Sequence, residues 1–164
     1  MVDIVGRGID IAVRVAPLRD SSLLARKIVD NPRTACTSPA YISKYGVPDT
    51  FSELNLHNCL RFTNVLQWTF EVSGQTTGLS VDGRFTSGNV KGVRELCIKG
   101  LGLAQLTLWD VKKEIAKGTL QEVIFKDAAP QNLPEWALLP TSRHVNVFID
   151  ALKGAVWISR IIVR

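Results

Sequence analysis

Residues 89–108 read NVKGVRELCIKGLGLAQLTL, and this stretch decides the fold that the rest of the sequence must fit. Asn89 is a suitable residue to cap the start of a helix, and Gly100 and Gly102 are suitable to end it. Residues 103–106 are short and apolar, as in a buried strand. The stretch therefore predicts a helix that returns to a strand of an α/β sheet. Apolar residues at helical spacing define the buried face of this helix: Val90, Val93, Cys97 and Leu101.

A helix that returns to a strand in this way places its N-terminus beside the sheet edge where ligands usually bind. Polar residues after predicted strands or before predicted helices are therefore candidates for ligand contact. They are Arg14, Thr37, Ser38, Arg61, Thr63, Asn64, Ser87, Asn89 and Thr141. For Ser38 and Asn89 a plain capping role explains the sequence as well. For Arg14 and Arg61 the alternative is a surface ion pair.

The remaining predicted elements alternate between strands and helices, with one hairpin. Strands are predicted at 9–15, 23–29, 33–37, 59–62, 120–125 and 136–139, and a hairpin pairs 68–72 with 79–85 through a loop at 73–78. A turn is predicted at 30–32 and a loop at 128–134. Helices or helical turns are predicted at 1–8, 38–46, 50–53, 109–117 and 145–157. Residues 158–164 fit a helix poorly and are interpreted as a vector-encoded or read-through tail.

Composition indicates a soluble globular protein with no membrane span and no secretion signal. Of the 164 residues 46% are hydrophobic and 21% charged, and the net charge of +5 comes from scattered Lys and Arg. The three cysteines are widely spaced in apolar surroundings, which predicts reduced core thiols in a cytoplasmic protein.

No motif for catalysis, metal binding or cofactor binding is present. His57 and His144 are far apart in sequence, and no Cys-x-x-Cys pair occurs. The glycines at 100 and 102 follow a helix, which is the reverse of the order in a dinucleotide fingerprint. Cys59 lies near His57, but residues two apart at the start of a strand do not make a nucleophile and base pair from spacing alone. The sequence therefore predicts a protein that is not an enzyme and needs no cofactor or metal.

Five short segments occur in the order seen in LysR-type transcriptional regulators: 8–15 (GIDIAVRV), 38–41 (SPAY), 59–62 (CLRF) with 68–70 (WTF), 100–104 (GLGLA) and 148–152 (FIDAL). The chain resembles the effector-binding domain of this family over residues 1–154, without the N-terminal DNA-binding region. The resemblance implies an α/β, two-lobed fold like that of type 2 periplasmic binding proteins, with one lobe incomplete. Residues 1–36 would form part of the first lobe and 37–139 the second. Residues 140–164 would contain a helix that returns to the first lobe, and the uncertain tail.

This resemblance also implies a function. A small effector, expected to be anionic, would bind in the cleft between the lobes and alter transcription in the full-length protein. The domain would self-associate as a homodimer or higher oligomer, and DNA would be contacted only through the absent N-terminal domain. The family often has an apolar residue and a proline near Gln105 and Thr107, so this sequence departs from the pattern there.

Three other functions stay open at the level of the sequence. A periplasmic-type solute-binding protein shares the implied fold, although no signal peptide is visible. A small α/β enzyme requires a catalytic set that the sequence does not reveal. A truncated regulator without independent function is the third alternative.

Overall fold

The computed structural model describes residues 11–15, 24–139 and 162–163, and within them the side chains of residues 30–132. The chain divides into two compact units, which we call the first unit (Met1–Asn31 with Asn132–Arg164) and the second unit (Pro32–Gln131). These boundaries lie a few residues before the predicted lobe boundaries at 36/37 and 139/140. The assignment of the units to the two lobes of the family stays a prediction.

The first unit contains antiparallel strands around β1 (Ile11–Val15). β1 pairs on one side with β10 (Asn132–Leu139) and on the other with β11 (Ile162–Val163). The strand predicted at 9–15 is confirmed over Ile11–Val15, and residues 9 and 10 lie outside the described residues. The loop predicted at 128–134 is wrong in most of its length, because it contains the short strand β9 (Ala129–Pro130) and β10 already begins at Asn132. Two residues of the segment interpreted as a tail, 158–164, belong to the sheet, since Ile162 pairs with Ala12; the origin of the segment stays a prediction. The predicted helices at 1–8 and 145–157 lie outside the described residues.

Strand β2 (Leu24–Thr37) runs for 14 residues and passes from the first unit into the second. The sequence predicted two strands separated by a turn at 30–32, and that turn is wrong. Proline lacks an N–H but tolerates extended backbone, so it removes one donor without ending a strand. The N–H of the residue after this proline, Arg33, is paired: it donates to the carbonyl of Gln131 at 2.8 Å.

The second unit is built on a mixed sheet of β2, β3 (Cys59–Phe62), β6 (Thr86–Ser87), β7 (Leu103–Thr107) and the short β8 (Gln121–Val123). The first four have the order β2-β7-β3-β6. β3 is parallel to both β7 and β6, while β2 is antiparallel to β7 and also pairs with the short strand β8. The three helices and one 3₁₀ helix of the described part of this unit lie between the strands in sequence. The helices are α1 (Pro39–Tyr45), α2 (Val90–Ile98), α3 (Leu108–Ala116) and the 3₁₀ helix (Phe51–Leu56).

Helix α2 forms where the sequence predicts it, and local signals set both of its ends. Oδ1 of Asn89 accepts from the N–H of Gly92 at 2.7 Å, which caps the first turn. Gly100 adopts a left-handed φ of 75° after the last turn, a conformation in which glycine avoids strain. Leu101 was predicted on the buried face but is 40% exposed, because the helix ends at Ile98 before Leu101 can join that face.

A hairpin of β4 (Gln67–Val72) and β5 (Gln75–Ser80) forms a second sheet, in which β9 (Ala129–Pro130) flanks the other side of β4. The hairpin was predicted, but its loop is two residues long where six were expected. Ser73 and Gly74 both have positive φ, at 51° and 79°, as in the tight turns that match strand twist. β5 therefore begins at Gln75 and ends at Ser80, well before the predicted end at 85.

The core of the second unit consists of two clusters on opposite faces of its main sheet. Successive residues of a strand point to opposite faces, so Cys59 and Leu103 join the cluster under the hairpin while Leu60 and Ala104 join the cluster under the helices. Cys36, Cys59 and Cys97 are buried free thiols, as predicted.

The segment between β5 and β6 lies directly against β3. The N–H of Cys59 donates to the carbonyl of Asp82 at 3.0 Å, and the N–H of Arg61 donates to the carbonyl of Phe85 at 3.3 Å. At Gly83 the backbones approach so closely that a Cβ atom would lie 1.9 Å from the carbonyl oxygen of Cys59. Only glycine fits this position with the backbone as it is.

Candidate functional site

The parallel strands β3, β6 and β7 end at one edge of the sheet, and polar residues follow two of them. The register pairs Arg61 with Thr86 and Leu60 with Ala104, so the residues after Phe62, Ser87 and Leu106 lie side by side. We call this the carboxyl edge. Ligands of open α/β sheets usually bind at such an edge.

Three of the predicted residues meet at the carboxyl edge. The N–H of Thr63 donates to the carbonyl of Ser87 at 3.1 Å. Oγ of Ser87 lies 3.3 Å from both the N–H and the carbonyl oxygen of Asn89, accepting from the first and donating to the second. Asn64 is exposed next to Thr63. The hydroxyl of Ser87 and the side-chain amide of Asn89 therefore lie at the start of α2.

The start of α2 gives this edge a partial positive charge. The first N–H groups of a helix have no partner within the helix, and their dipoles add to about half a unit charge. The side chain of Asn89 accepts from one of these groups, the N–H of Gly92, so the capping role predicted as an alternative for Asn89 is confirmed. The remaining first-turn dipole still favours an anion near Ser87.

Arg61 is held in an ion pair beside this edge. Its Nη2 lies 3.4 Å from Oδ1 of Asp82, whose side chain is fully exposed, whereas the side chain of Arg61 is only 15% exposed. Within residues 30–132 no acceptor is found for its buried Nε. The ion pair that the sequence offered as the alternative role of Arg61 is therefore present, although the guanidinium is mostly buried.

Thr37 and Ser38 lie at the opposite edge of the sheet, contrary to the expectation that they share an edge with the other candidates. β2 runs antiparallel to β7, so its end is next to the start of β7: Oγ1 of Thr37 donates to the carbonyl of Gly102 at 2.9 Å. Ser38 caps α1 by accepting from the N–H of Tyr41 at 3.3 Å. Both residues are buried, and these hydrogen bonds to the backbone give each of them a structural role.

The last two predicted site residues are less fully described. Arg14 lies in β1 of the first unit, opposite Trp136 of β10, and its side chain is outside the described set. Thr141 lies outside the described residues altogether.

Two residues at the carboxyl edge were not predicted, Arg33 and Thr107. They are direct neighbours across β2 and β7. Burial lowers the pKa of the Arg33 guanidinium, and among residues 30–132 no carboxylate forms an ion pair with it. Oγ1 of Thr107 donates to Oδ2 of Asp110 at 2.6 Å. The antiparallel direction of β2 brings Arg33 to this edge, and nothing in the local sequence reveals that direction.

The described residues contain no helix able to span a membrane and no group of three or more His, Cys, Asp or Glu side chains placed to hold a metal ion. Hydroxyls, backbone N–H groups and a guanidinium at the carboxyl edge offer hydrogen bonds and positive charge to a ligand.

Comparison with known proteins adds decisive information to this geometry. The model of the LysR substrate binding domain matches residues 1–157. The chain belongs to this family. Among curated relatives of this LysR domain, the HTH-type transcriptional regulator CrgA of Neisseria meningitidis (serogroup C, strain 8013) is 31% identical over 158 residues, which are 92% of this chain and 52% of CrgA. The regulator DmlR of Escherichia coli K12 is 30% identical over 161 residues, 93% of this chain and 52% of DmlR.

Solved structures give the same assignment for the LysR domain. The structure of Neisseria meningitidis CrgA matches with a TM-score of 0.79 at 29% identity, covering 95% of this chain and 55% of that one. The separate CrgA regulatory domain matches with a TM-score of 0.77 at 28% identity, covering 95% and 81%. The predicted α/β fold of the periplasmic-binding-protein type is thereby confirmed.

The matching proteins also define what this LysR domain corresponds to. Its relatives are transcriptional regulators, and the chain corresponds to their effector-binding, or regulatory, domain. The chain spans about half the length of the curated relatives it matches.

Proposed function

We propose that this LysR domain binds a small anionic effector at the carboxyl edge of the second unit. The observation that supports the proposal most directly is the meeting of Thr63, Ser87 and Asn89 at the start of α2. Hydroxyls and a helix N-terminus together suit a carboxylate or phosphate. Arg33, at the same edge, adds a positive charge that no described carboxylate neutralises.

We propose further that the binding event controls transcription in the longer regulator to which the chain corresponds. Such control requires only that the effector binds two arrangements of the domain with different affinities. Self-association and contact with DNA through an N-terminal domain are part of this proposal, as is a location in the cytoplasm. No covalent step is involved.

The test is thermal unfolding of the purified chain with a panel of small carboxylates, aromatic acids and sugar phosphates. A ligand at about 100 times its dissociation constant adds about 2.7 kcal/mol to the free energy of unfolding. This corresponds to a shift of several degrees in Tm for a protein of this size. The primary amide of the best acid is the matched ligand control, and we expect it to give no shift.

Two variants locate the site. Thr63→Val and Ser87→Ala remove hydroxyls at the carboxyl edge and are expected to weaken binding about tenfold each, in line with a lost hydrogen bond to a charged group. Ser43→Ala removes an exposed hydroxyl from α1, which begins at the opposite edge, and should bind normally. Equal affinities for all three variants, or a panel that never shifts Tm, contradict the proposal.

A further inference from the structure

Gln105 is a buried polar residue of β7 whose carboxamide takes the place of a neighbouring strand. It is 6% exposed and lies on the face of the sheet that β4 covers. Its Nε2 donates to the carbonyl of Thr69 at 2.8 Å, and its Oε1 accepts from the N–H of Thr69 at 3.4 Å. One side chain thus satisfies both backbone groups of one strand residue.

The position of Thr69 explains why a side chain is needed there. β9 pairs with β4 at Glu71 and Phe70, and the pairing ends at Pro130. Thr69 is the next residue of β4, at the point where the partner strand has ended. Unpaired backbone groups in a partly buried strand are unfavourable, and the carboxamide of Gln105 supplies both partners.

A second set of hydrogen bonds connects Thr69 to the ends of the second unit. The hydroxyl of Thr69 donates to Oε1 of Gln131. The carbonyl of Gln131 accepts from the N–H of Arg33 at 2.8 Å. Arg33 and Gln131 lie at the two places where the chain enters and leaves the second unit, Pro32–Gln131. The chain of contacts therefore runs from β7 through β4 to both crossover residues.

We infer that Gln105 is a positioning residue that holds Gln131 and Arg33 in place through Thr69, and so couples β7 to the two points where the chain enters and leaves the second unit. The inference goes beyond the proposed function, because it concerns the fold and holds for any effector or none. Gln105 stands where the family resemblance leads one to expect an apolar residue, so the carboxamide is the feature that needs a role. The competing explanation is that Gln105 only pairs the backbone of Thr69. In that case the positions of Gln131 and Arg33 do not depend on Gln105.

The test is hydrogen exchange at the Arg33 amide in the full chain, because this N–H is the last bond of the series. Thr69→Val keeps both backbone bonds to Gln105 and removes only the hydroxyl that reaches Gln131. Gln105→Met removes the carboxamide at similar volume. Loss of one such bond is expected to speed local opening about threefold to tenfold. Both variants should show this at Arg33, with unchanged exchange at Cys97 in α2.

Thr77→Val is the matched control. Thr77 lies on β5 of the same hairpin and its hydroxyl contacts only the nearby carbonyl of Gln75 among the described residues. The variant should leave the Arg33 amide at the wild-type rate. If Thr69→Val also leaves Arg33 at the wild-type rate, or if all variants speed every amide equally, the inference is overturned.

Gln105→Glu provides a reversible version of the same test. A protonated carboxyl can donate to the carbonyl of Thr69, and an ionised one cannot. The ratio of variant to wild-type exchange at Arg33 should therefore fall towards one as the pH is lowered through the titration of the carboxyl that this substitution introduces. A ratio independent of pH, with the variant folded, contradicts the positioning role. A failure of every effector to bind would leave these rates untouched, so the two proposals fail separately.

Discussion

At the scale of single residues, burial in the folded chain lowers the pKa of His57. The hydroxyl of Tyr41 accepts from the N–H of Asn58 at 3.2 Å and is therefore free to donate its own proton to Nδ1 of His57, 3.1 Å away. The nearby charge of Glu53 opposes the effect of burial on this pKa only in part. The folded state thus binds a proton at His57 less readily than the unfolded state does.

This difference predicts a loss of stability on mild acidification. The contribution of His57 is complete above its unfolded pKa of about 6.5 and is lost as the pH falls through that value towards the lower folded pKa. The measurement is the urea midpoint of wild type and His57→Gln at pH 7.5 and 5.5. We expect the midpoint to fall less in His57→Gln, since glutamine cannot titrate. Identical pH dependence in both proteins would show that His57 has no part in it.

Residue roles that depend on neighbours in sequence could be predicted, and those that depend on distant chain could not. The caps at Asn89 and Ser38 are confirmed, and they could be predicted because each hydrogen bond reaches only three residues along the chain. The hydroxyl of Thr37 reaches the carbonyl of Gly102, 65 residues away, which no local pattern indicates. The same holds for the carboxamide of Gln105.

At the scale of elements, the β4–β5 hairpin depends on a turn with two residues at positive φ. Gly74→Ala places a Cβ atom in a left-handed conformation, although no atom lies within 4 Å to clash with it. We expect a loss of about 1–2 kcal/mol from backbone strain alone. The urea midpoint measures it.

Gly88→Ala is the matched substitution for Gly74→Ala. Gly88 also has open space around its Cβ position but has no left-handed φ. Its free energy of unfolding should change by less than about 0.5 kcal/mol. Equal losses at Gly74 and Gly88 would rule out turn strain as the cause.

Helices and strands were predicted well where residues typical of helix ends and turns lie at actual ends and turns, and poorly where they lie inside a strand. Gly46 and Gly118 follow the ends of α1 and α3 with positive φ, and the predicted helices at 38–46 and 109–117 end at or just before them. Asp30, Asn31 and Pro32 form a strong turn signal, yet β2 is continuous through them. Pairing with neighbouring strands stabilises extended backbone there, and this tertiary effect overrides local preference.

At the scale of the whole molecule, the two hydrophobic clusters found among the described side chains both belong to the second unit. Every side chain of the two clusters lies between Ala35 and Ala128. We therefore expect a fragment of residues 32–131 to fold by itself, with a cooperative urea transition followed by circular dichroism. Leu54→Ala, which removes a fully buried side chain, should destabilise the fragment by about 2–5 kcal/mol. A gradual, non-cooperative transition would show that the unit needs the rest of the chain.

The candidate site shows the limit of prediction at this scale. Thr63 and Asn64 were found because they follow a predicted strand, and Ser87 and Asn89 because they precede a predicted helix. The parallel strand β6 that places Ser87 beside β3 was not predicted. Thr37 and Ser38 were placed at the wrong edge, and Arg33 was missed, for one reason: the sequence does not reveal that β2 runs against β7. Strand direction is a property of the whole sheet, and one sequence carries no direct signal for it.

Position 83 tolerates almost no residue other than glycine. A single methyl group there would overlap the backbone of Cys59, and a backbone cannot turn aside as a flexible side chain can. All single-nucleotide changes that replace this glycine therefore disturb β3 itself, the strand that leads to Thr63. In a gene that accumulates substitutions at random, codon 83 is expected to be among the last to vary while the domain still folds, whereas codon 88 is open to early drift.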